Sequence, residues 1–362
     1  MEEIAEHTTC NSRRSAEIEL LRFFMVLVVV FFHQYEAILG RGFLAVEFFF
    51  ILTGYLTMKS VSRSLLTNLE MPSLGLFLKR KIAGFYPELL IACVGGCLFN
   101  LYLTMIGKSS FASMITECLT NILQNLALLR MTGIAGTSAV CVPAWYLSSM
   151  IIALILVIPF IFRFKNLYLR IVIALFLYCC VLHNLEGLEK NSYADWVHYT
   201  YGGNLRAIAG ILLGTVAYVI VEKSKNYQFS IPMKVVISCG IILCCFLFIA
   251  ILFCKGGALD GVAVCIHFFL IIALFSRNTL FGFCFDNKTI YTWCCKLGKF
   301  SLPLYLGHIF PLYVYRSLPQ QHELSLGLYL FLAVISGAII AIGAHYVRKY
   351  MSLFLVLSIN QR

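Results

Sequence analysis

Ten long apolar stretches, at about residues 18–40, 42–60, 82–106, 144–162, 166–183, 204–222, 232–254, 258–276, 299–318 and 325–347, follow one another along this chain. Each is long enough to cross the hydrocarbon core of a bilayer as a helix, which takes about 20 residues at roughly 1.5 Å rise per residue. In that solvent only helices and closed barrels satisfy every backbone polar group. The alternation of a barrel strand is absent, so the sequence predicts an all-α, polytopic membrane protein with about ten transmembrane helices. Composition agrees, since 60% of the 362 residues are hydrophobic and only 12% are charged, which excludes an ordinary soluble domain. Residues 1–16 read as a polar cytoplasmic tail, 17–350 as one integral-membrane domain and 351–362 as a second cytoplasmic tail.

A net charge of +11 suits a nucleic-acid binder, but the cations are sorted as a membrane topology requires. Counted over alternating sides, twenty Lys and Arg fall on the side of the N-terminus and seven on the other, with Arg22 inside the first span, which accounts for all 28. Cationic loops are retained on the cytoplasmic side. Both termini are therefore expected in the cytoplasm, the lipid bilayer is the expected surroundings, and no nucleic-acid partner is implied. The first apolar stretch lacks a small-residue cleavage site and is expected to stay as a helix. The fifteen cysteines are odd in number and lie mostly within spans, where they act as small apolar side chains. Cys93 and Cys97 share a helix face, yet Glu88 is the one nearby acid, so no metal site is expected.

Inside the first stretch stand Arg22 and His33, and ionisable groups at membrane depth are functional candidates by default. Eleven residues at roughly 100° each return them to nearly the same helix face, about 16 Å apart along the axis. Either Arg22 snorkels while His33 packs against a neighbour, or the two form a polar stripe that crosses much of the bilayer. Histidine titrates near neutral pH and suits a general base. Glu36, three residues on, is a helix-face neighbour that would orient it or hold its charge. Glu47 in the second span offers the same service or a packing ion pair. The run Lys79-Arg80-Lys81 is either a topology signal or an anion site.

Two segments expected on the outer face carry further features. Residues 108–142 have apolar residues at helical spacing and predict an amphipathic or re-entrant helix plus loop. Residues 184–203 hold Glu186, Glu189, Asp195, Trp196, His198, Tyr199 and Tyr201. Carboxylates beside aromatics suit either a carbohydrate or the aromatic belt of the membrane interface.

Five motifs in order resemble the membrane-bound acyltransferase family three, integral-membrane O-acyltransferases that decorate bacterial surface glycans. They are Ile18-Glu-Leu-Leu-Arg22 through His33; Gly42-Phe-Leu-Ala-Val-Glu47 through Thr53-Gly54-Tyr55; Phe77-Leu-Lys79-Arg80-Lys81 through Tyr86-Pro87; Ala144-Trp145-Tyr146-Leu147-Ser148; and Ser301-Leu-Pro-Leu-Tyr305-Leu-Gly-His308. The chain departs from that family at Gly84, where an arginine is common, and at Met150, where an acid is common. The resemblance implies a plasma-membrane enzyme of a bacterium. It would move an acyl group, most simply acetyl, from cytosolic acyl-CoA (acetyl-CoA) to a hydroxyl of a cell-surface or lipid-linked carbohydrate. It implies His33 as base with Glu36 beside it, and Arg22, Glu47, Arg80, Lys81, Tyr86, Trp145 and His308 as substrate-binding residues. His308, like His183, His267 and His345, also suits helix packing. A transporter or flippase of a lipid-linked sugar needs buried charges too, but the inverted halves that such a fold shows are not evident here.

Overall fold

The structure is a computed structural model that describes residues 15–66, 73–134, 140–184, 187–188, 193–197, 199–281, 285, 287–318 and 324–360. The tail up to residue 14 and the loop residues Glu186, Glu189, Lys190 and His198 lie outside the described residues. The helices in chain order are α1 (Ala16–Gln34), α2 (Ala45–Leu66), α3 (Leu74–Met105), α4 (Phe111–Leu126), α5 (Trp145–Arg163), α6 (Leu167–Asn184), α7 (Gly202–Ser224), α8 (Ile231–Leu252), α9 (Asp260–Ser276), α10 (Lys288–Gly307), α11 (Ile309–Arg316) and α12 (Leu326–Asn360). One two-residue hairpin, β1 (Trp196–Val197) with β2 (Thr200–Tyr201), precedes α7.

The all-α class is as expected, and among the described residues 7 helices are long and apolar enough to cross a membrane. Three of the ten predicted stretches fall short for identifiable reasons. Helix α1 carries Glu17, Glu19 and Arg22. The apolar part of α6, Leu167–His183, is short. The stretch 299–318 divides at His308 into α10 and α11. The expected amphipathic helix of the 108–142 segment is α4, whose N-cap Ser110 accepts from the Ser113 backbone N–H at 3.1 Å.

Without a hydrophobic force between helices in lipid, close packing rests on small residues. Helix α2 lies along α7 in the most extensive helix pairing of the bundle. A Cβ on Gly54 would stand 2.0 Å from the Ile211 carbonyl oxygen, and one on Gly214 equally close to that of Ile51. Only hydrogen fits at either position. Helices α8 and α12 are the least covered by protein, 28% and 22% buried over their spans, and so form the lipid-facing periphery. Helices α1, α2, α5, α7 and α10 surround the polar interior. In α3, Pro87 removes a backbone donor inside the helix, and Arg348 of α12 donates to the nearby Gly84 carbonyl at 3.2 Å.

Candidate active site

The stripe expected on α1 is present, and its two ends open into different cavities. At the Arg22 end a cleft of about 720 Å³ is lined by Arg22, Gly84, Glu88, Lys296, Lys299, His345 and Arg348, among others from α1, α3, α10 and α12. A middle cavity of about 280 Å³ shares Arg22, Gly84 and Leu302 with that cleft and adds Thr53, Lys81, Tyr146, Met150 and Tyr305. At the His33 end a third cavity of about 170 Å³ is lined by His33, Trp145, Tyr193, Arg206, Tyr305, His308, Tyr313 and Arg316, together with apolar residues. Tyr305 lines both the middle and the His33 cavity. A series of three spaces, each sharing lining residues with the next, thus follows the Arg22–His33 face of α1.

The His33 cavity is built by helix breaks. Helix α10 stops at Gly307, and His308 occupies the junction with α11. Its Nδ1 lies 2.7 Å from the Tyr305 carbonyl. A carbonyl only accepts, so the proton sits on Nδ1 and Nε2 presents a lone pair. That Nε2 is buried and has no partner among the described residues. The His308 ring stands 5.1 Å from that of His33, centroid to centroid. On the opposite wall Trp145 begins α5 and stacks on Tyr193 at 4.5 Å and 15°. Ser149 donates to the Asn204 side-chain oxygen at 2.9 Å, and Asn204 donates to the Met131 carbonyl at 2.7 Å, fixing the starts of α5 and α7 together.

That junction also sets Arg206, which is 1% exposed. Its Nε donates to Glu47 Oε1 at 2.6 Å, Tyr178 donates its hydroxyl to Oε2 at 2.8 Å, and the guanidinium lies 5.7 Å over the Trp145 ring. Glu47 therefore holds the arginine that faces the cavity and does not line the cavity itself. Arg206, counted from sequence among the cations outside the spans, lies within a helix long and apolar enough to cross a membrane and is held in a buried ion pair. Its signal was available. It is a cation inside the predicted stretch 204–222, and Glu47 is an acid inside 42–60; opposite charges at membrane depth pair with each other.

The other predicted site residues divide. Lys81 and Arg22 reach the middle cavity, and Arg22 Nη1 also donates to Glu19 at 2.9 Å. Arg80 is exposed, and neither it nor Tyr86 lines any of the three cavities. At 100° per residue, Arg80 and Lys81 point in different directions from α3. Glu36 is exposed and lies in the turn beyond Gln34, outside the regular part of α1. His267 packs, fully buried, between Phe48 and Phe248, with Nε2 3.2 Å from the Leu44 carbonyl. Sequence reasoning missed Lys296, Lys299 and Arg348 as a group. Lys296 and Lys299 sit one turn apart before an apolar run, and Arg348 reaches Glu88 at 2.5 Å from a distant part of the chain. Among the described residues no group of three or more His, Cys, Asp or Glu is placed to hold a metal ion.

Chemically, this arrangement offers a polyanion a cationic cleft at one end. At the other end two adjacent imidazoles and a fixed guanidinium surround a small space, the set that proton transfer and oxyanion stabilisation require. No curated protein and no solved structure matches the chain significantly. An acyltransferase-domain family model, acyltransferase family 3, matches residues 15–346, and with nearly the whole chain covered, every residue of the His33 cavity included, the protein belongs to that family of membrane acyltransferases.

Proposed function

We propose that the protein transfers an acyl group, acetyl in the simplest case, from acyl-CoA to a hydroxyl of a lipid-linked or cell-surface carbohydrate. The observation that carries this reading is the series of cavities that joins the Arg22 cleft to His33 through shared lining residues. Arg22, Lys296, Lys299 and Arg348 offer charge-assisted hydrogen bonds to the CoA phosphates. The pantetheine arm is narrow enough to follow the middle cavity and bring the thioester to Tyr305 and His33. Twenty of the 27 cations counted outside the spans fall on the predicted cytoplasmic side, which faces this cleft to cytosolic acyl-CoA in a ten-span bacterial plasma-membrane protein with both termini inside.

In the reaction, His33 takes the proton of the acceptor hydroxyl as its oxygen bonds to the thioester carbonyl carbon. Negative charge develops on the carbonyl oxygen, within the field of Arg206. Collapse of this intermediate breaks the C–S bond, and the imidazolium of His33 returns the proton to the departing CoA sulfur. His308 Nε2 accepts from a neighbouring hydroxyl of the sugar and so orients the acceptor before attack. Trp145 and Tyr193 offer apolar faces to the sugar ring, and Arg206 and Arg316 suit an anionic one.

The test is transfer by purified protein in nanodiscs, with acetyl-CoA labelled in its acetyl group and methyl glucoside and sugar-phosphate probes as acceptors. Label in a hydroxylamine-sensitive ester, lost in His33→Ala, is the expected result. Failure of acyl-CoA to bind or to be consumed overturns the reading.

A further inference from the structure

Tyr305 is the lining residue that the middle cavity and the His33 cavity have in common among the described residues. It stands where the series of spaces is divided. Tyr305 is 6% exposed, and its ring lies edge-on to Tyr146 at 6.0 Å and 75° and 6.0 Å from the His308 ring. Tyr146 is itself tied to α2, with its hydroxyl 3.3 Å from Thr53 Oγ1 and donating to the Phe49 carbonyl at 3.3 Å. Behind Tyr305, helix α10 has little freedom to withdraw, because a Cβ on Gly307 would stand 2.9 Å from the Gly337 backbone nitrogen of α12. Packed groups of this kind move little without cost.

We infer that Tyr305 sets the length of the acyl chain, confining transfer to short groups such as acetyl; this rests on the acyl-CoA reading above. A donor that enters from the Arg22 end carries its sulfur toward that end and its acyl chain ahead of it. Every added methylene therefore extends past the carbonyl into the His33 cavity, where the acceptor hydroxyl must also fit. That cavity is about 170 Å³, close to the roughly 150 Å³ of an engineered cavity that takes up one benzene. A six-carbon chain has benzene's carbon count and fills the space alone, whereas a two-carbon group leaves room for the hydroxyl. Beside it lies the larger middle cavity, about 280 Å³, and Tyr305 stands between the two. With the pantetheine arm in the middle cavity, removing the Tyr305 ring adds the ring's own volume to the His33 cavity and gives a longer chain somewhere to fold.

The test uses purified full-length protein in nanodiscs with an equimolar mixture of acetyl- and hexanoyl-CoA. Water and methyl glucoside serve as acceptors, and the chains recovered as acid or ester are compared with the CoA thiol released. Wild type is expected to use acetyl at least about tenfold faster, the scale of overfilling a packed site. Tyr305→Ala should bring the two within about threefold. Tyr305→Leu should fall between, and Tyr305→Phe, which keeps the ring, should retain the wild-type preference. The Leu and Phe variants decide the matter if Tyr305→Ala does not fold. A preference unchanged in Ala and Leu, or a wild type that uses hexanoyl as readily as acetyl, overturns the role of Tyr305 while leaving acyl-CoA as donor. Wild-type protein that releases thiol from neither donor overturns the donor reading itself and the inference with it.

Discussion

Glu47→Gln should destabilise the protein strongly, and Arg206→Met added to it should restore much of the loss. Glu47 Oε1 lies 2.6 Å from both Nε and Nη2 of Arg206, with the two side chains 0% and 1% exposed. At an effective dielectric of about 20, two unit charges at that distance attract by roughly 6 kcal/mol, and desolvation of both ions offsets several kcal/mol of it. Removing one partner leaves the other charge buried, at a cost of about 3 to 5 kcal/mol. In Glu47→Gln the Tyr178 hydroxyl also exchanges a charged acceptor for a neutral one. Arg206→Met alone strands the carboxylate, to which the Tyr178 hydroxyl still donates, at a similar cost. The double variant strands neither charge. It should recover about 2 kcal/mol or more relative to the sum of the singles. The assay is a double-mutant cycle on reversible unfolding in mixed detergent micelles. Activity should not follow stability, because Arg206 is missing from the cavity in the double variant, which should be folded and slow. Additive singles would refute the ion-pair account, and a fully active double variant would refute the role given to Arg206.

Lys299→Ala, or Lys296→Ala, should weaken acyl-CoA binding by about 10-fold to 150-fold, the loss of a charge-assisted bond of roughly 1.5 to 3 kcal/mol, whereas Arg80→Ala should change it less than about threefold; calorimetry on purified protein separates the two. His308→Asn keeps a donor for the Tyr305 carbonyl and deletes the Nε2 lone pair, so kcat should fall about 10-fold to 100-fold with the fold intact by thermal unfolding, and undiminished kcat would leave His308 a packing residue. Impermeant thiol labelling of single-cysteine variants in intact cells should mark Lys108→Cys and spare Lys79→Cys, and the reverse pattern would separate the cationic cleft from cytosolic donor.

The helical class and the α1 stripe were legible because both depend on local periodicity: apolar length gives a span, and eleven residues give one face. Trp145 and His308 were legible through motif resemblance, and the structure brings both beside His33. What sequence could not give was set by tertiary placement. Glu36 was expected on the helix of His33, and its place in the turn two residues past the end of α1 at Gln34 is set by the chain's path into α2. Arg80 and Lys81 look equivalent in a run of cations, and the phase of α3 alone separates them. The Glu88–Arg348 contact joins residues 260 apart in sequence, and no local pattern announces it. Gly84 and Met150, where the chain departs from the family pattern, line the same middle cavity, a coincidence visible only once α3 and α5 are packed.

The central claim is that His33 moves a proton while an acyl group passes from acyl-CoA to a carbohydrate hydroxyl. It is tested most directly by the alkali-labile ester content of surface glycan from cells that express, at equal and membrane-inserted levels, wild type or His33→Ala. The account predicts esters with wild type and none above the level of cells lacking the protein with His33→Ala. Equal ester content in the two would contradict it.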